Sequence, residues 1–330
     1  MSLLSVKNLR IELSTRAGVA PVIDDLSFDL AAGEAISFVG ESGCGKSMTA
    51  LGLMGLLPEG IGRIAGGSIT FDGEELTTAS EARLRAIRGN DISMIFQEPM
   101  TSLNPVYTVG EQIAEVLREH QRLSRRAAWN MAAELLDAVR IPNAARRVGV
   151  YPFQMSGGQR QRIMMARAYM VKPRMIVADE PVSMVDASLR ASILDVMMKL
   201  RDEAGISFLY ITHDLSTAYQ IGDRILLFYQ GTLAAEGNAV DVLSNPKHPY
   251  VQLLIDSVPK PDPTQRWEGE VTLPAEEELR TAASTGCRFV PRCPHATPAC
   301  SVALPPLYPV GPNGHRASCV LHAEGALTPA

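Results

Sequence analysis

The sequence predicts an α/β fold, a parallel sheet with helices packed on both of its faces. Three apolar strand-like segments, 175–179, 208–212 and 224–229, are separated by helical segments, and strands that alternate with helices build parallel sheets. A glycine-rich loop at 40–47 joins a further short strand to a helix. Between about 98 and 172, apolar residues recur at three- and four-residue steps, which indicates helices. The sequence thus predicts an α/β core with an inserted helical subdomain.

The N-terminal part predicts an antiparallel β edge beside this core. Residues 3–13 and 22–30 have strand character, and the short turn between them suits antiparallel neighbours. A core strand is predicted at 35–39, and a buried helix at 48–57. A glycine-rich loop is expected next, at 58–67. Three short elements follow, a strand at 68–73, a helix at 81–88 and a strand at 91–96.

Helices dominate the middle of the chain and then alternate with the apolar strands. In the inserted subdomain, helices are predicted at 109–120 and 127–139. In the core, they are predicted at 188–204 and 215–220. Proline at alternate positions in 258–263 interrupts helix and sheet hydrogen bonding, so we expect a boundary there. The predicted units are a large domain, 1–258, and a proline- and cysteine-rich extension, 259–330.

The composition is that of a globular protein and argues against some functions. The chain has 330 residues, of which 46% are hydrophobic and 20% charged, as in folded soluble proteins. Its net charge of −5 argues against broad nucleic-acid binding, which requires a basic surface. No apolar segment approaches the roughly 20 residues that span a bilayer, and the N-terminus lacks the order of a signal peptide. We therefore expect the chain to lie in the cytoplasm.

The loop at 40–47 has the pattern of glycine, four residues, glycine, lysine and serine or threonine. A strand that turns tightly into a helix directs backbone N–H groups and the positive helix end toward one point, which suits phosphate. Lys46 can reach the β- and γ-phosphates, and the Ser47 hydroxyl can bind Mg²⁺. These features predict the RecA-like core of a P-loop NTPase that binds ATP and Mg²⁺. The predicted nucleotide-binding residues are Gly40, Glu41, Ser42, Gly43, Cys44, Gly45, Lys46, Ser47 and Met48.

Two carboxylates, Asp179 and Glu180, end the apolar strand at 175–179. Beside the phosphate loop, Asp179 suits a Mg²⁺ ligand, directly or through water. Glu180 stands one residue further and can polarise an attacking water. A strand that ends in solvated acids is common for an isolated pair of this kind. The phosphate loop upstream makes the catalytic interpretation the better one.

A second candidate anion site precedes a basic helix and consists of Ser156, Gly157, Gly158 and Gln159. A serine and two glycines at a helix N-terminus can hold an anion. One chain has only one γ-phosphate to bind, so a second site in the same chain is redundant. The segment resembles the signature of the ATP-binding cassette (ABC) family. The resemblance implies a head-to-tail dimer, in which each signature closes over the ATP held by the other subunit.

The resemblance to this family also implies roles for residues outside these motifs. Gln97, at the end of its strand, is similar to the glutamine that senses Mg²⁺ and the attacking water and links to the membrane partner. Asp186 lies in a segment that resembles the loop crossing the dimer interface. His213 resembles the switch histidine that contacts the γ-phosphate. The family's adenine-stacking aromatic falls near Leu13, which has no π-face. Arg16 is therefore a candidate to stack on the base.

Three segments, 96–106, 248–254 and 286–294, resemble importers of the oligopeptide type. The resemblance implies an ATP-hydrolysing subunit that powers uptake of oligopeptides, dipeptides or a related solute such as a sugar, an opine or nickel. Its partners would be a second ATPase subunit, identical or not, two membrane permeases and an extracytoplasmic solute-binding protein, with no nucleic acid. The chain would lie on the cytoplasmic face of the inner or plasma membrane. The alternative is a soluble ABC ATPase of the DNA-repair or cluster-assembly type.

The extension contains four of the five cysteines, Cys287, Cys293, Cys300 and Cys319. Four thiolates can hold a tetrahedral Zn²⁺ or a [4Fe–4S] cluster, and the spacing lacks the close pairs that zinc favours. Tails of this pattern in the oligopeptide branch resemble iron–sulfur-bearing ones, which favours the cluster over zinc and leaves unliganded thiols open. None of the four lies in a segment that builds the ATP site. We therefore expect loss of a cluster to affect stability or permease docking before ATP affinity.

Overall fold

A parallel sheet forms the centre of the molecule. The computed structural model describes residues 2–16, 18–97, 102–183, 185, 187–258 and 285–323. In this part of the chain, five parallel strands lie in the order β9-β3-β8-β7-β6. They are β3 (Ala35–Gly40), β6 (Ile92–Ile95), β7 (Met175–Asp179), β8 (Ser207–Thr212) and β9 (Arg224–Tyr229). Every residue of β3, β7 and β8 is buried, as expected for strands covered on both faces. The predicted α/β class is confirmed.

An antiparallel sheet lies beside this core, in the order β2-β1-β4-β5. Its strands are β1 (Ser2–Thr15), β2 (Gly18–Ala31), β4 (Gly62–Phe71) and β5 (Glu74–Glu75). The loop predicted over 58–67 is wrong from residue 62 onward, because β4 already pairs with β1 there. The glycines that indicated a loop serve a register shift instead. Gly67 has φ +85°, and a Cβ there would lie 2.4 Å from the Asn8 carbonyl oxygen.

Helices cover the core and form the inserted subdomain. The N-terminal half of the described chain has α1 (Lys46–Leu53), α2 (Glu81–Ile87), α3 (Val109–Gln121), α4 (Arg125–Ala138), α5 (Ala144–Arg147) and α6 (Gly157–Tyr169). The hydroxyls of Thr108, Ser124 and Ser156 each accept an N–H from the first turn of α3, α4 and α6. Helix α1 ends before the predicted residue 57, because Gly55 turns into the left-handed region at φ +60°.

The second half of the chain returns to the core and then extends its sheet. Its helices are α7 (Ala187–Ala204), α8 (Leu215–Ile221), α9 (Ala239–Ser244) and α10 (Pro249–Asp256). Strand β10 (Thr232–Asn238), absent from the sequence-based prediction, pairs antiparallel with β9. Two short strands of the extension, β11 (Tyr308–Pro309) and β12 (Arg316–Ala317), continue the sheet beyond β10. The extension is therefore joined to the core sheet by main-chain hydrogen bonds.

None of the helices in the described ranges is both long enough and apolar enough to cross a bilayer.

Candidate nucleotide-binding site

The loop between β3 and α1 is closed by close backbone contacts that only glycine permits. A Cβ on Gly40 would lie 2.3 Å from the Phe228 carbonyl oxygen. Gly45 precedes α1 at φ +106°, and a Cβ there would lie 2.5 Å from the Ile23 side chain. Gly43 also has positive φ, +80°. The loop therefore presents its backbone, followed by the N-terminus of α1, as predicted for a phosphate cradle.

Lys46 lies in the centre of this loop. Its side chain is buried, and its Nζ donates to the carbonyl oxygens of Gly40 at 2.7 Å and Glu41 at 3.0 Å. These neutral acceptors hold the ammonium without cancelling its charge. A phosphate group that enters the loop is attracted to this charge and to the free N–H groups of α1.

Asp179 and Ser47 form the part of the site that fits a divalent cation. Asp179 ends β7 with 5% of its surface exposed, and its side chain hydrogen-bonds Ser47. Its Oδ1 has no hydrogen-bond partner among the described residues. Burial raises the pKa of the Asp179 carboxyl, and the neighbouring Glu180 raises it further, against the lowering by Ser47 and Lys46. A buried carboxylate with an open oxygen beside a hydroxyl is a suitable ligand pair for Mg²⁺.

Glu180 brings the three predicted catalytic side chains together. Its Oε1 lies 3.0 Å from His213 Nδ1, and its Oε2 accepts from Gln97 Nε2 at 3.4 Å. Gln97 and His213 are exposed, whereas the Glu180 side chain is 13% exposed. Glu180 has φ +45°, a conformation stabilised by Ser183, whose N–H and hydroxyl both donate to the Glu180 carbonyl oxygen. A carboxylate held between an amide and an imidazole can orient and polarise a water.

The segment that carries His213 is held by contacts that the sequence analysis missed. Asp214 caps α8 by accepting the Ser216 N–H at 2.9 Å, and its other oxygen pairs with Arg190 of α7 at 3.0 Å. Arg190 is 24 positions from Asp214 in sequence, so no local motif connects them. The pair fixes the chain directly after His213.

The signature residues form an exposed, preorganised helix start. The Ser156 hydroxyl accepts the Gln159 N–H at 3.3 Å, and Gln159 Oε1 accepts the Ser156 N–H at 3.1 Å. Ser156 and Gly157 are exposed. Gly158 packs on α7, where a Cβ would lie 1.7 Å from Leu189 Cδ2, so no larger residue fits without displacing that side chain. The N-terminus of α6 thus remains open to an anion from outside the chain.

The remaining nucleotide-site predictions lie at the edge of this site or beyond it. Leu13 pairs with Ala20 and Gly62 in the antiparallel sheet, and Arg16 is exposed at the end of the same strand region. Asp186 lies outside the described residues. The sequence analysis also missed Tyr250 of α10, whose hydroxyl accepts the N–H of Glu41 in the phosphate loop at 3.3 Å.

The four cysteines of the extension line one small cavity, of about 10 Å³. None of them is in a disulfide, and the Cys287 N–H donates to the Cys300 carbonyl oxygen at 2.7 Å. Burial raises the thiol pKa of Cys287 and Cys293, and that of Cys319 to about 11.

The four cysteines do not form a completed [4Fe–4S] or zinc site in this structure. No group of three or more His, Cys, Asp and Glu residues in the described part is placed to hold a metal ion. The Cys300 thiol instead contacts its own turn, 3.4 Å from both the N–H nitrogen and the hydroxyl oxygen of Thr297.

The chain is similar to known protein families and to curated proteins. The family model "ABC transporter" matches residues 23–183, and the model "Oligopeptide/dipeptide transporter, C-terminal region" matches 236–300. A putative peptide import ATP-binding protein of Brucella melitensis is 43% identical, over 98% of this chain and 98% of its own. The oligopeptide transport ATP-binding protein OppD of Escherichia coli is 44% identical, over 96% and 92%.

A solved structure has the same fold. It is the dimeric post-hydrolysis state of the ATP-binding cassette MJ0796 bound to ADP and Pi, which is 27% identical to this chain. The match has a TM-score of 0.65 and covers 72% of this chain and 98% of that one. The peptide and oligopeptide transport relatives are 43% and 44% identical along nearly the whole sequence. This identity, together with the phosphate loop and the signature helix, shows that the chain belongs to the ABC transporter family.

Proposed function

We propose that the chain is the ATP-hydrolysing subunit of an importer for oligopeptides or dipeptides. The observation that carries the ATPase assignment is Glu180, which contacts Gln97 and His213 next to the Ser47–Asp179 pair. The peptide assignment is supported by the names of the relatives, which are peptide import and oligopeptide transport ATP-binding proteins. It is also supported by the matched C-terminal region at 236–300.

The side chains divide the hydrolysis of ATP between them. The phosphate loop and Lys46 bind and orient the triphosphate. Mg²⁺, held by Ser47 and Asp179, supplies charge neutralisation when bound. Glu180 accepts a hydrogen bond from the attacking water and positions it, with Gln97 and His213 on either side of the carboxylate. Leu13 and Arg16 are the proposed contacts to the adenine.

The signature residues Ser156 to Gln159 act on the ATP of a second subunit. The N-terminus of α6 supports this proposal, because it is capped and exposed and can therefore accept an anion from another subunit. The neighbouring solved structure is described as dimeric. Asp186 is proposed to lie at the same subunit interface.

The permease surface is proposed to be a groove of about 610 Å³ between the core and the helical subdomain. Apolar side chains, among them Met54, Met94, Phe96 and Met164, line it together with Arg88 and Arg167. Phe96 is 41% exposed and directly precedes Gln97. A permease segment in this groove would therefore contact the strand end that leads to Glu180. Binding of a permease segment in this groove would hold the chain on the cytoplasmic face of the membrane, with an extracytoplasmic binding protein on the other side.

The four cysteines are proposed to bind a [4Fe–4S] cluster, with zinc as the alternative. Their convergence on one cavity and the absence of disulfides among the described residues support this. The thiols must close in to act as ligands, and Cys300 must leave Thr297. Anaerobically purified protein with equal iron and acid-labile sulfide supports the cluster. Four freely alkylated thiols in native, metal-free protein would exclude both metals.

The transport proposal is tested by purifying the chain with its membrane partners and reconstituting the complex in vesicles. Addition of a peptide and its binding protein should stimulate ATP hydrolysis and drive peptide uptake. A Lys46→Ala complex should support neither. An active ATPase that copurifies with no permease and ignores peptides would favour the soluble ABC ATPase instead.

A further inference from the structure

The C-terminal extension returns to the phosphate loop and contacts it directly. Arg292 Nη1 donates to both carboxylate oxygens of Glu41, at 2.9 and 3.1 Å. The Arg292 side chain is 15% exposed and that of Glu41 44%. Glu41 is the second residue of the loop, and 251 positions separate the two residues. The contact therefore connects the extension to the phosphate loop, although none of the four cysteines lies in a segment that builds the ATP site.

Aromatic packing fixes the position of Arg292. Its guanidinium carbon lies 5.7 Å from the centre of the Phe289 ring and 5.9 Å from that of Tyr229. Phe289 is 2% exposed and packs edge-on against Tyr229, with ring centres 5.2 Å apart, and against Tyr250 at 5.6 Å. The buried Phe289 and its aromatic neighbours thus fix the Arg292 side chain in position.

A second arginine of the extension holds the strand behind the loop. Arg288 pairs with Asp24 of β2 at 3.1 Å. The Asp24 N–H donates to the Gly231 carbonyl oxygen, and the Gly231 N–H donates to the Cys44 carbonyl oxygen, each at 2.9 Å. Asp24 directly follows Ile23, whose side chain closes over Gly45. Arg292 therefore contacts the phosphate loop itself, and Arg288 contacts the strand β2 that packs against the loop.

The charge of Glu41 explains why this contact matters for ATP. A half-exposed carboxylate in the second position of a phosphate loop repels the triphosphate that the loop binds. Arg292 neutralises this carboxylate and, by binding both of its oxygens, holds it in place. We propose that Arg292 is a positioning residue for ATP binding, which acts through Glu41. This proposal rests on the nucleotide site of the proposed function and deepens it.

A double-mutant cycle with Arg292→Gln and Glu41→Gln tests the proposal, with the dissociation constant of Mg-ATP as readout. In the parent, Arg292→Gln leaves the Glu41 carboxylate uncompensated, so ATP should bind roughly three- to tenfold more weakly. With Gln at position 41 there is no carboxylate to compensate, and the same change should alter affinity less than twofold. Arg292→Lys, which keeps the charge, should restore most of the affinity.

The control is Arg83→Gln, which breaks an equally bidentate pair with Glu74 away from the loop and should leave the dissociation constant unchanged. An unfolding curve is measured for every variant. If Arg292→Gln does not fold, Glu41→Gln carries the test. It removes the carboxylate that repels the triphosphate and keeps the Arg292 charge, so Mg-ATP should bind more tightly than in the parent, and weaker binding would contradict the proposal.

Two results would overturn the proposal. One is parental affinity in a folded Arg292→Gln protein, and the other is an equal loss with and without the Glu41 carboxylate, which would indicate a purely structural role. If the parent itself does not bind Mg-ATP, the proposed function fails before any variant is compared.

Discussion

His213 Nδ1 lies 3.0 Å from Glu180 Oε1, although 33 positions separate the two residues. They follow the adjacent parallel strands β7 and β8, whose carboxyl ends reach the same edge of the sheet. The contact is therefore a consequence of the fold rather than of a local turn. It places an exposed imidazole beside a carboxylate that is mostly shielded from solvent.

We expect His213→Ala to reduce turnover by about a hundredfold while ATP still binds, because a positioned acid–base partner contributes about this much. The kinetic constant kcat is compared with the dissociation constant of ATP. His120→Ala is the control, because His120 lines the proposed permease groove and should not affect the rate of the isolated subunits. A His213→Ala protein with the parental kcat would remove this histidine from the mechanism.

Mixing Lys46→Ala chains with Ser156→Arg chains should restore activity that neither variant has alone. In a head-to-tail homodimer, one composite site then has an intact loop and an intact signature, and the other is doubly damaged. With random pairing, about half of the dimers contain one chain of each kind, and each of these has one working site out of two. The mixture should therefore reach at most about a quarter of the parental rate. If the chain pairs only with a different subunit, the test is repeated with one change in this chain and the equivalent of the other change in that subunit. A strictly monomeric preparation with the full rate of the assembled transporter would refute action in trans.

Asp179→Asn should abolish Mg²⁺-dependent turnover and stabilise the metal-free protein. The folded state raises the pKa of Asp179. The ionised carboxylate therefore lowers stability as the pH rises through the unfolded and then the folded pKa. Its replacement should therefore raise the free energy of unfolding near neutral pH.

The measurement for Asp179→Asn is chemical unfolding without and with Mg-ATP, beside the exposed Asp195→Asn as control. Loss of stability without the metal, or parental turnover with it, would contradict the assigned role of Asp179.

His248→Asn should flatten the pH dependence of stability between about pH 6.5 and 4. His248 caps α10 by accepting the Tyr250 N–H on Nδ1, and burial lowers its pKa to about 4. The unfolded chain binds the proton first as the pH falls, so the stability present above pH 6.5 decreases toward pH 4. Asparagine keeps a cap acceptor without titrating.

Unfolding free energies at several pH values measure the effect of His248. The parent should lose on the order of 2 kcal/mol more than the variant over this interval. Parallel curves would show that His248 does not titrate as its burial implies.

The sequence was sufficient for the residues that local patterns specify. The phosphate loop, Asp179 and Glu180 belong to a strand–turn–helix and to the end of an apolar strand, and both patterns are complete within about ten residues. The contact between Glu180, Gln97 and His213 follows once parallel strands are predicted, because their carboxyl ends meet.

Features that depend on distant pairing were not predictable in this way. Strand β10 contains Ala234, Ala235 and Gly237, which have weak strand preference, and it forms because β9 and β12 pair with it on either side. The contact of Arg292 with Glu41 joins opposite ends of the chain through packing of Phe289. No periodicity or motif in either segment encodes that contact.

The most direct test of the ATPase account is a comparison of the parent and Glu180→Gln by Mg-ATP hydrolysis and Mg-ATP binding on the same preparations. The substitution removes the carboxylate that positions water and leaves the loop, Lys46 and the Ser47–Asp179 pair in place. We predict that the variant binds Mg-ATP at least as tightly as the parent and hydrolyses it at least a hundredfold more slowly. Bound ATP should also hold two subunits together, measured by light scattering. Hydrolysis by Glu180→Gln at close to the parental rate would contradict the account.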